Sequence, residues 1–128
     1  MSREFTGISI LSENVARLAE FYGKLLQIEV DLDDVFVEIG RQGYELSIYS
    51  KESADSAMGF DFSRYWGSGN IAIEFHVDDV DEEFERLKKM GVDFIKPPTT
   101  YPEGNRMMHF RDLDGNIITF ANRCINNE

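Results

Sequence analysis

The stretch that decides the fold of this chain lies at residues 110–120 and reads Phe-Arg-Asp-Leu-Asp-Gly-Asn-Ile-Ile-Thr-Phe. Within it, Asp114-Gly115 favours a tight turn, because glycine takes a positive φ without a Cβ clash and aspartate tolerates such turns. Residues 117–120 are β-branched and aromatic, which is typical of a half-buried strand. The sequence therefore predicts a hairpin whose second strand occupies residues 116–121.

The composition indicates one globular domain. A chain of 128 residues with 42% hydrophobic content buries roughly two-thirds of its unfolded surface without disulfides or metals. Its 13 basic and 24 acidic residues give a net charge of −11. Nucleic acids and anionic membranes need a basic surface, so we expect neither as a partner. The charge is explained by solubility alone, but it also suits a cationic small molecule through electrostatic focusing.

The single cysteine, Cys124, excludes an intramolecular disulfide and indicates a reducing compartment. The first residues lack a long apolar segment of the signal-peptide type, and no apolar run approaches about 18 residues. These features predict a cytoplasmic protein.

The first half of the chain predicts one helix and four strands. Strands are expected at residues 5–11, 28–32, 35–39 and 44–49. The helix is capped by Ser12 or Asn14. Its core-facing stripe, with apolar residues three and four apart, comprises Val15, Leu18, Phe21, Tyr22 and Leu25. Gly23 weakens that helix locally and indicates a place where a strand or loop packs closely.

The second half repeats the pattern. Strands are expected at residues 71–77, 92–95, 106–111 and 116–121, with the second of them ended by Pro97-Pro98. Asp79 and Glu82 open the intervening helix as a capping box, and Gly91 ends it. The sequence thus predicts an α+β fold of two tandem βαβββ modules, residues 4–50 and 71–124. Each module would place a helix on the outer face of a curved mixed sheet, leaving the inner faces to enclose a cavity.

Residues 51–70 show no clear periodicity and are predicted to be a linker between the modules. Connections of this length are often functional. They contain four aromatic residues, namely Phe60, Phe62, Tyr65 and Trp66. These rings either pin the linker onto the core or line a ligand pocket.

Three segments resemble the vicinal oxygen chelate superfamily, which includes glyoxalase I, extradiol dioxygenases, fosfomycin-modifying enzymes and bleomycin-resistance proteins. They are residues 14–22 (NVARLAEFY), 75–80 (FHVDDV) and 110–116 (FRDLDGN). Leu113 replaces the proline usual in the last of these. The resemblance implies one glyoxalase/bleomycin-resistance-like domain over residues 1–128, and a homodimer. It does not imply one activity, because a fold hosts many functions.

The resemblance also implies where a metal would bind. The ligand positions of the metal enzymes fall on Gly7, Glu45, Ala72 and Thr119, of which only Glu45 ligates a cation well. A transition metal normally takes three or four protein ligands. We therefore expect no metal at this position and no cofactor. Metal-dependent lyase and dioxygenase chemistry is disfavoured, and whether the protein is an enzyme stays open.

Strand alternation leaves a second arrangement open. It sends Glu74 and His76 to the same face as Ala72. With Glu45 they could form a displaced metal site, which would serve a lyase or dioxygenase. They could equally form an acid–base pair or an acidic patch for an ammonium group, or pair with basic neighbours. His109 is expected to be a hydrogen-bonded residue of the pocket wall rather than a catalyst.

Our leading interpretation is a small-molecule-binding protein similar to the bleomycin-resistance branch, sequestering a cationic or aromatic ligand without a metal. Phe62 is a further candidate for stacking on such a ligand. The candidate pocket residues are Glu45, Ser47, Tyr49, Tyr65, Trp66, Glu74, His76, His109 and Thr119. An interaction module is the other alternative, with its cavity filled by Tyr49, Met107 and Met108.

Overall fold

The computed structural model describes residues 6–42, 44–63, 66–67, 71–102 and 104–122, and it confirms the α+β class. The elements are β1 (Gly7–Ser12), α1 (Val15–Leu26), β2 (Phe36–Gln42), β3 (Tyr44–Ser50), α2 (Lys51–Met58), β4 (Ala72–His76), α3 (Val80–Met90), β5 (Asp93–Thr100), β6 (Arg106–Arg111) and β7 (Ile117–Asn122). They form two compact units, Met1–Trp66 and Gly67–Glu128. Among the described residues, no helix is long and apolar enough to cross a membrane.

The first unit contains a three-stranded sheet in the order β1-β3-β2, with β1 parallel and β2 antiparallel to β3. One face packs against α1 and buries Ile10, Val37 and Ile48. The helix begins as predicted, because the Asn14 side chain accepts a hydrogen bond from the Arg17 backbone N–H at 3.2 Å. The sheet face opposite α1 therefore carries the alternate residues of each strand.

The predicted strand at residues 28–32 is wrong. These residues form no ladder, and Ile28 and Leu32 are exposed. The Ile28 N–H donates to the Gly23 carbonyl oxygen at 3.0 Å. A Cβ on Gly23 would lie 3.3 Å from the Ile28 carbonyl oxygen and 3.4 Å from Val30. The segment thus packs on α1 at the glycine that the sequence marked, and it does not join the sheet.

The second unit contains a four-stranded sheet in the order β4-β7-β6-β5. Its core face packs against α3 and buries Phe110 and Phe120, whose ring centroids lie 5.1 Å apart. Asp79 caps α3 by accepting from the Glu82 N–H at 3.1 Å, and Gly91 ends it at φ 77°. Both predicted helix boundaries are confirmed.

The prediction that Pro97-Pro98 ends a strand is wrong, because β5 runs on to Thr100. Two register irregularities flank Lys96, and Pro97 and Pro98 lie in the second of them. They are tolerated because β5 is an edge strand, where a proline that lacks an N–H removes no bond to a further strand.

Residues 51–58 were predicted to lie in a linker and instead form α2. The Ser50 hydroxyl caps it by accepting from the Ser53 N–H at 3.1 Å, and Gly59 follows its last turn at φ 69°. Ala54 is the one buried residue of this helix. A helix that buries so little has no apolar stripe, so periodicity gave no signal for it.

Candidate functional site

Two strands of the first unit meet closely at the start of β1. Gly7 lies directly opposite Glu45 in the parallel register of β1 and β3. A Cβ on Gly7 would overlap with the Glu45 carbonyl oxygen, so only glycine fits without a backbone shift. Two residues along, the Ser47 hydroxyl donates to the Ser9 hydroxyl oxygen at 3.3 Å. Ser47 is buried and Tyr49 half-buried, so neither side chain is widely open to solvent.

The second unit aligns polar side chains in a row across its sheet. Glu74 is opposite Thr119, Thr119 is opposite His109, and His109 is opposite Lys96. Neighbouring residues on the same strands, such as Phe120, point to the core. The row therefore lies on the face turned away from α3.

His109 is hydrogen-bonded at both ring nitrogens. Its Nδ1 lies 2.9 Å from the Thr119 hydroxyl oxygen, and its Nε2 lies 3.3 Å from the Tyr101 hydroxyl oxygen. Burial, and next the charge of Lys96, lower the pKa of His109 below its usual value, whereas the charge of Glu74 opposes that change. The imidazole is thus neutral near pH 7, with one nitrogen a donor and the other an acceptor. Two hydroxyl groups therefore hold the imidazole in place, and its position in a pocket wall stays a prediction.

His76 shares a face of β4 with Glu74, and both are exposed. Its Nε2 lies 3.4 Å from an Asp78 carboxylate oxygen. His76 therefore contacts an acidic neighbour, whereas pairing with a basic neighbour was one of the arrangements that the sequence left open.

The predicted aromatic residues Phe62 and Trp66 come together in the first unit, with ring centroids 5.0 Å apart. The Lys51 ammonium lies 4.8 Å from the Trp66 centroid and 5.2 Å from the Phe62 centroid. It also lies 3.7 Å from a Glu13 carboxylate oxygen. Lys51 was not predicted as a site residue, because nothing in its local sequence links it to rings so far along the chain. Tyr65 lies outside the described residues.

Lys51 borders a cleft of about 570 Å³ in the first unit. This volume lies within the range of small-molecule sites. The lining residues are Glu13, Asn14, Val15, Asp34, Ser50, Lys51, Glu52 and Asp55. Four carboxylates against one ammonium make the cleft acidic, and a cation entering it would be attracted.

A family model described as Glyoxalase/Bleomycin resistance protein/Dioxygenase superfamily matches residues 6–120. The chain belongs to this superfamily. No protein with a curated description matches the sequence.

Several solved structures share the fold of this chain. A glyoxalase-related enzyme from Fulvimarina pelagi is 19% identical, with a TM-score of 0.79 over 94% of this chain and 88% of that one. A lactoylglutathione lyase from Agrobacterium tumefaciens is 18% identical, with a TM-score of 0.71 over 94% and 93%. A protein of unknown function from Agrobacterium tumefaciens str. C58 is 23% identical, with a TM-score of 0.77 over 94% of each chain. At these identities the similarity shows the fold alone.

The residues at the metal positions implied by the superfamily do not fit a metal. Gly7 and Ala72 offer no ligating atom, and Gly7 has no room for a side chain. Thr119 is 5% exposed and its hydroxyl is bound to His109. Glu45 alone could ligate, which falls short of the three or four ligands that a transition metal takes.

The displaced metal alternative draws on both units, with Glu45 in the first and Glu74 and His76 in the second. Within the described residues of either unit, no three His, Cys, Asp or Glu side chains form a group able to hold a metal. No observation within a unit therefore favours this alternative, and its test is elemental analysis.

Proposed function

We propose that this protein is a binding protein that sequesters a small cationic, aromatic molecule without a metal. One observation carries the proposal. The Lys51 ammonium stacks against Trp66 and Phe62 at the border of an acidic cleft. We call the group formed by Lys51, Phe62 and Trp66 the corner of the first unit. The rings of this corner already contact a cation, the ammonium of Lys51 itself.

The chemistry of the corner selects the ligand class. Aromatic ring faces attract cations, and Trp is the strongest of the three aromatic side chains. Trp66 is 49% exposed and Phe60, beside Phe62, is 51% exposed, so ring surface is available for stacking. A planar cation could stack on these rings while its charge lies near the cleft carboxylates. Cationic planar antibiotics belong to this class, which would make the protein a resistance factor.

Trp66 is the sole tryptophan, so its fluorescence reports on this corner. We expect benzyltrimethylammonium to quench that fluorescence and to raise the melting temperature, while the neutral benzyl alcohol does neither. A ligand at a hundred times its Kd stabilises the folded state by about 2.7 kcal/mol. The absence of both effects across a panel of cationic aromatic compounds would overturn the proposal.

Two variants locate the site. Trp66→Leu removes the ring and should abolish the shift in melting temperature. Lys51→Met removes the resident ammonium and should strengthen binding of the added cation. Lys24→Met, at an exposed lysine of α1 away from these rings, is the control and should leave binding unchanged. Equal thermal shifts in wild type and Trp66→Leu would exclude this corner as the site.

A further inference from the structure

Thr119, His109 and Tyr101 form one hydrogen-bonded chain on the sheet face of the second unit that is turned away from α3. Thr119 is 5% exposed, whereas His109 and Tyr101 are half-buried. The backbone holds Tyr101 at the outer end. Its N–H donates to the Asn105 carbonyl oxygen, and its own carbonyl oxygen accepts from the Gly104 N–H, both at 2.8 Å. The Tyr101 hydroxyl therefore has a fixed place at the end of the chain.

The burial of Thr119 decides which group donates and which accepts in each hydrogen bond of this chain. A neutral imidazole has one donor and one acceptor, so either Thr119 donates to Nδ1 or Nδ1–H donates to Thr119. Among the described residues, His109 is the hydrogen-bond partner of the Thr119 hydroxyl. If Nδ1–H were the donor, the hydroxyl hydrogen of a buried threonine would lose its acceptor, which is costly.

One arrangement gives the hydroxyl hydrogen of Thr119 an acceptor. Thr119 donates to Nδ1, and Nε2–H then donates to the Tyr101 oxygen. Tyr101 accepts that bond with its oxygen, so its own hydrogen is directed away from His109. The outer end of the chain is consequently a donor.

A second donor lies over the ring of Tyr101. The Lys96 ammonium is 4.9 Å from the centroid of the Tyr101 ring, and Lys96 is exposed. Glu74 lies at the opposite end of the same row, three strands from Lys96. Its negative charge makes that end unfavourable for an anion. The donors and the positive charge thus coincide at the β5 end of the row.

We propose that Tyr101 and Lys96 form a binding site for an anionic oxygen of a small organic molecule, a carboxylate or a phenolate. His109 and Thr119 are positioning residues, which keep the Tyr101 hydroxyl a donor. The site uses residues of the second unit alone and none of those that line the acidic cleft. It therefore goes beyond the cation binding proposed above.

The donor and acceptor roles in these hydrogen bonds are testable without any ligand. The protein has two histidines, so the imidazole ¹⁵N spectrum holds two sets of signals, and His76 serves as the internal reference. We expect His109 to be the Nε2–H tautomer near pH 7. Thr119→Val should convert it to a mixture of tautomers, and Thr119→Ser should restore the single form. A wild-type spectrum of the Nδ1–H tautomer would overturn the assignment of Tyr101 as the donor.

The binding step is tested with 4-nitrophenol. The phenolate should bind and the neutral 4-nitroanisole should not, so the protein should lower the apparent pKa of the probe. Tyr101→Phe and Lys96→Met should each weaken phenolate binding by about tenfold or more, because bonds to an ionised acceptor are strong. Lys89→Met, at an exposed lysine of α3, is the matched control and should leave binding unchanged.

The two proposals fail separately. Phenolate binding that is equal in wild type, Tyr101→Phe and Lys96→Met would overturn this inference, and quenching of Trp66 by cations would be unaffected. Phenolate binding that depends on Tyr101, in a protein that binds no cation, would support this inference and refute the proposed function.

Discussion

Gly7 sets the distance between β1 and β3 at the residue scale. Its missing side chain lets the backbone of Glu45 approach where any Cβ would overlap with the carbonyl oxygen. The same position in the superfamily's metal enzymes is implied to carry a ligand. In this chain a ligating side chain cannot be introduced there without moving a strand.

Gly7→Ala should therefore destabilise the protein by about 1–3 kcal/mol, the usual cost of overpacking. Gly40→Ala is the control, because Gly40 also lies in a strand but a Cβ on it would meet no atom within 4 Å. It should stay within about 0.5 kcal/mol of the wild type. Urea unfolding at pH 7 measures both. Equal stabilities for the two variants would show that β1 moves easily.

Asp112 holds the turn from which the fold was predicted. Its carboxylate accepts from the backbone N–H of Asp114 at 2.9 Å and from that of Asn116 at 2.8 Å. The Asn116 side-chain amide adds a third bond at 2.9 Å. Asp112 is 5% exposed, so its carboxylate depends on these three donors rather than on water.

Asp112→Ala should cost about 1–3 kcal/mol, because it removes the acceptor of three hydrogen bonds that hold the turn. Leu113→Ala changes an exposed side chain of the same turn and should cost less than about 0.5 kcal/mol. Thermal or urea unfolding distinguishes the two. A small effect of Asp112→Ala would mean that Gly115, at φ 92°, suffices for the turn.

At the scale of elements, a bidentate ion pair joins α3 to β6. Arg106 donates to the two Asp81 carboxylate oxygens at 2.8 and 2.7 Å. These hydrogen bonds lower the pKa of Asp81 below its ordinary value of 3.8. A carboxyl whose pKa is lower in the folded state stabilises that state above the unfolded pKa. The contribution is lost as the pH falls through the folded value.

Asp81→Asn should accordingly be less stable than the wild type at pH 7, and the difference should shrink as the pH falls below 3.8 and vanish below the folded-state pKa of Asp81. Glu85→Gln is the control, because the ion pair of Glu85 with Lys88 lies within α3. Its stability should differ little from the wild type. Thermal unfolding across this pH range is the measurement. An Asp81→Asn difference that persists in acid would point to lost packing instead.

Elements with local signals were predicted, and those without them were not. Asn14, Asp79 and Gly91 mark helix ends in sequence and in structure alike, because a cap acts within four residues. The helix α2 has a capping serine but no apolar stripe, and it was missed. The extension of β5 through its prolines depends on its place at the sheet edge, which no local pattern encodes.

At the scale of the whole molecule, the resemblance implies a homodimer. We expect light scattering to give twice the mass of one chain at micromolar concentration, because proteins of this fold often pair modules between chains. A mass near that of one chain would contradict this expectation. Raising the ionic strength is a useful control, since the chain carries a net charge of −11 and like-charged copies repel least at high salt.

The donor set predicts the metal content of the whole protein. Zinc, nickel, manganese and iron should each be substoichiometric in protein purified without chelators, because one carboxylate with an open coordination shell binds weakly. Elemental analysis measures this directly. One equivalent of any of these metals would favour the displaced site of Glu45, Glu74 and His76.

The sequence alone determined the α+β class, the helix caps, the turn at residues 110–116 and the likeness to the superfamily. These depend on side chains acting over a few residues, or on apolar periodicity. It also named Thr119, His109, Phe62 and Trp66 as candidates. Only the tertiary structure decided their partners. Sheet register brings Thr119 against His109, and the path of the chain after α2 carries Trp66 back over Lys51. Such contacts depend on how strands and turns pack together, and no short segment contains that information.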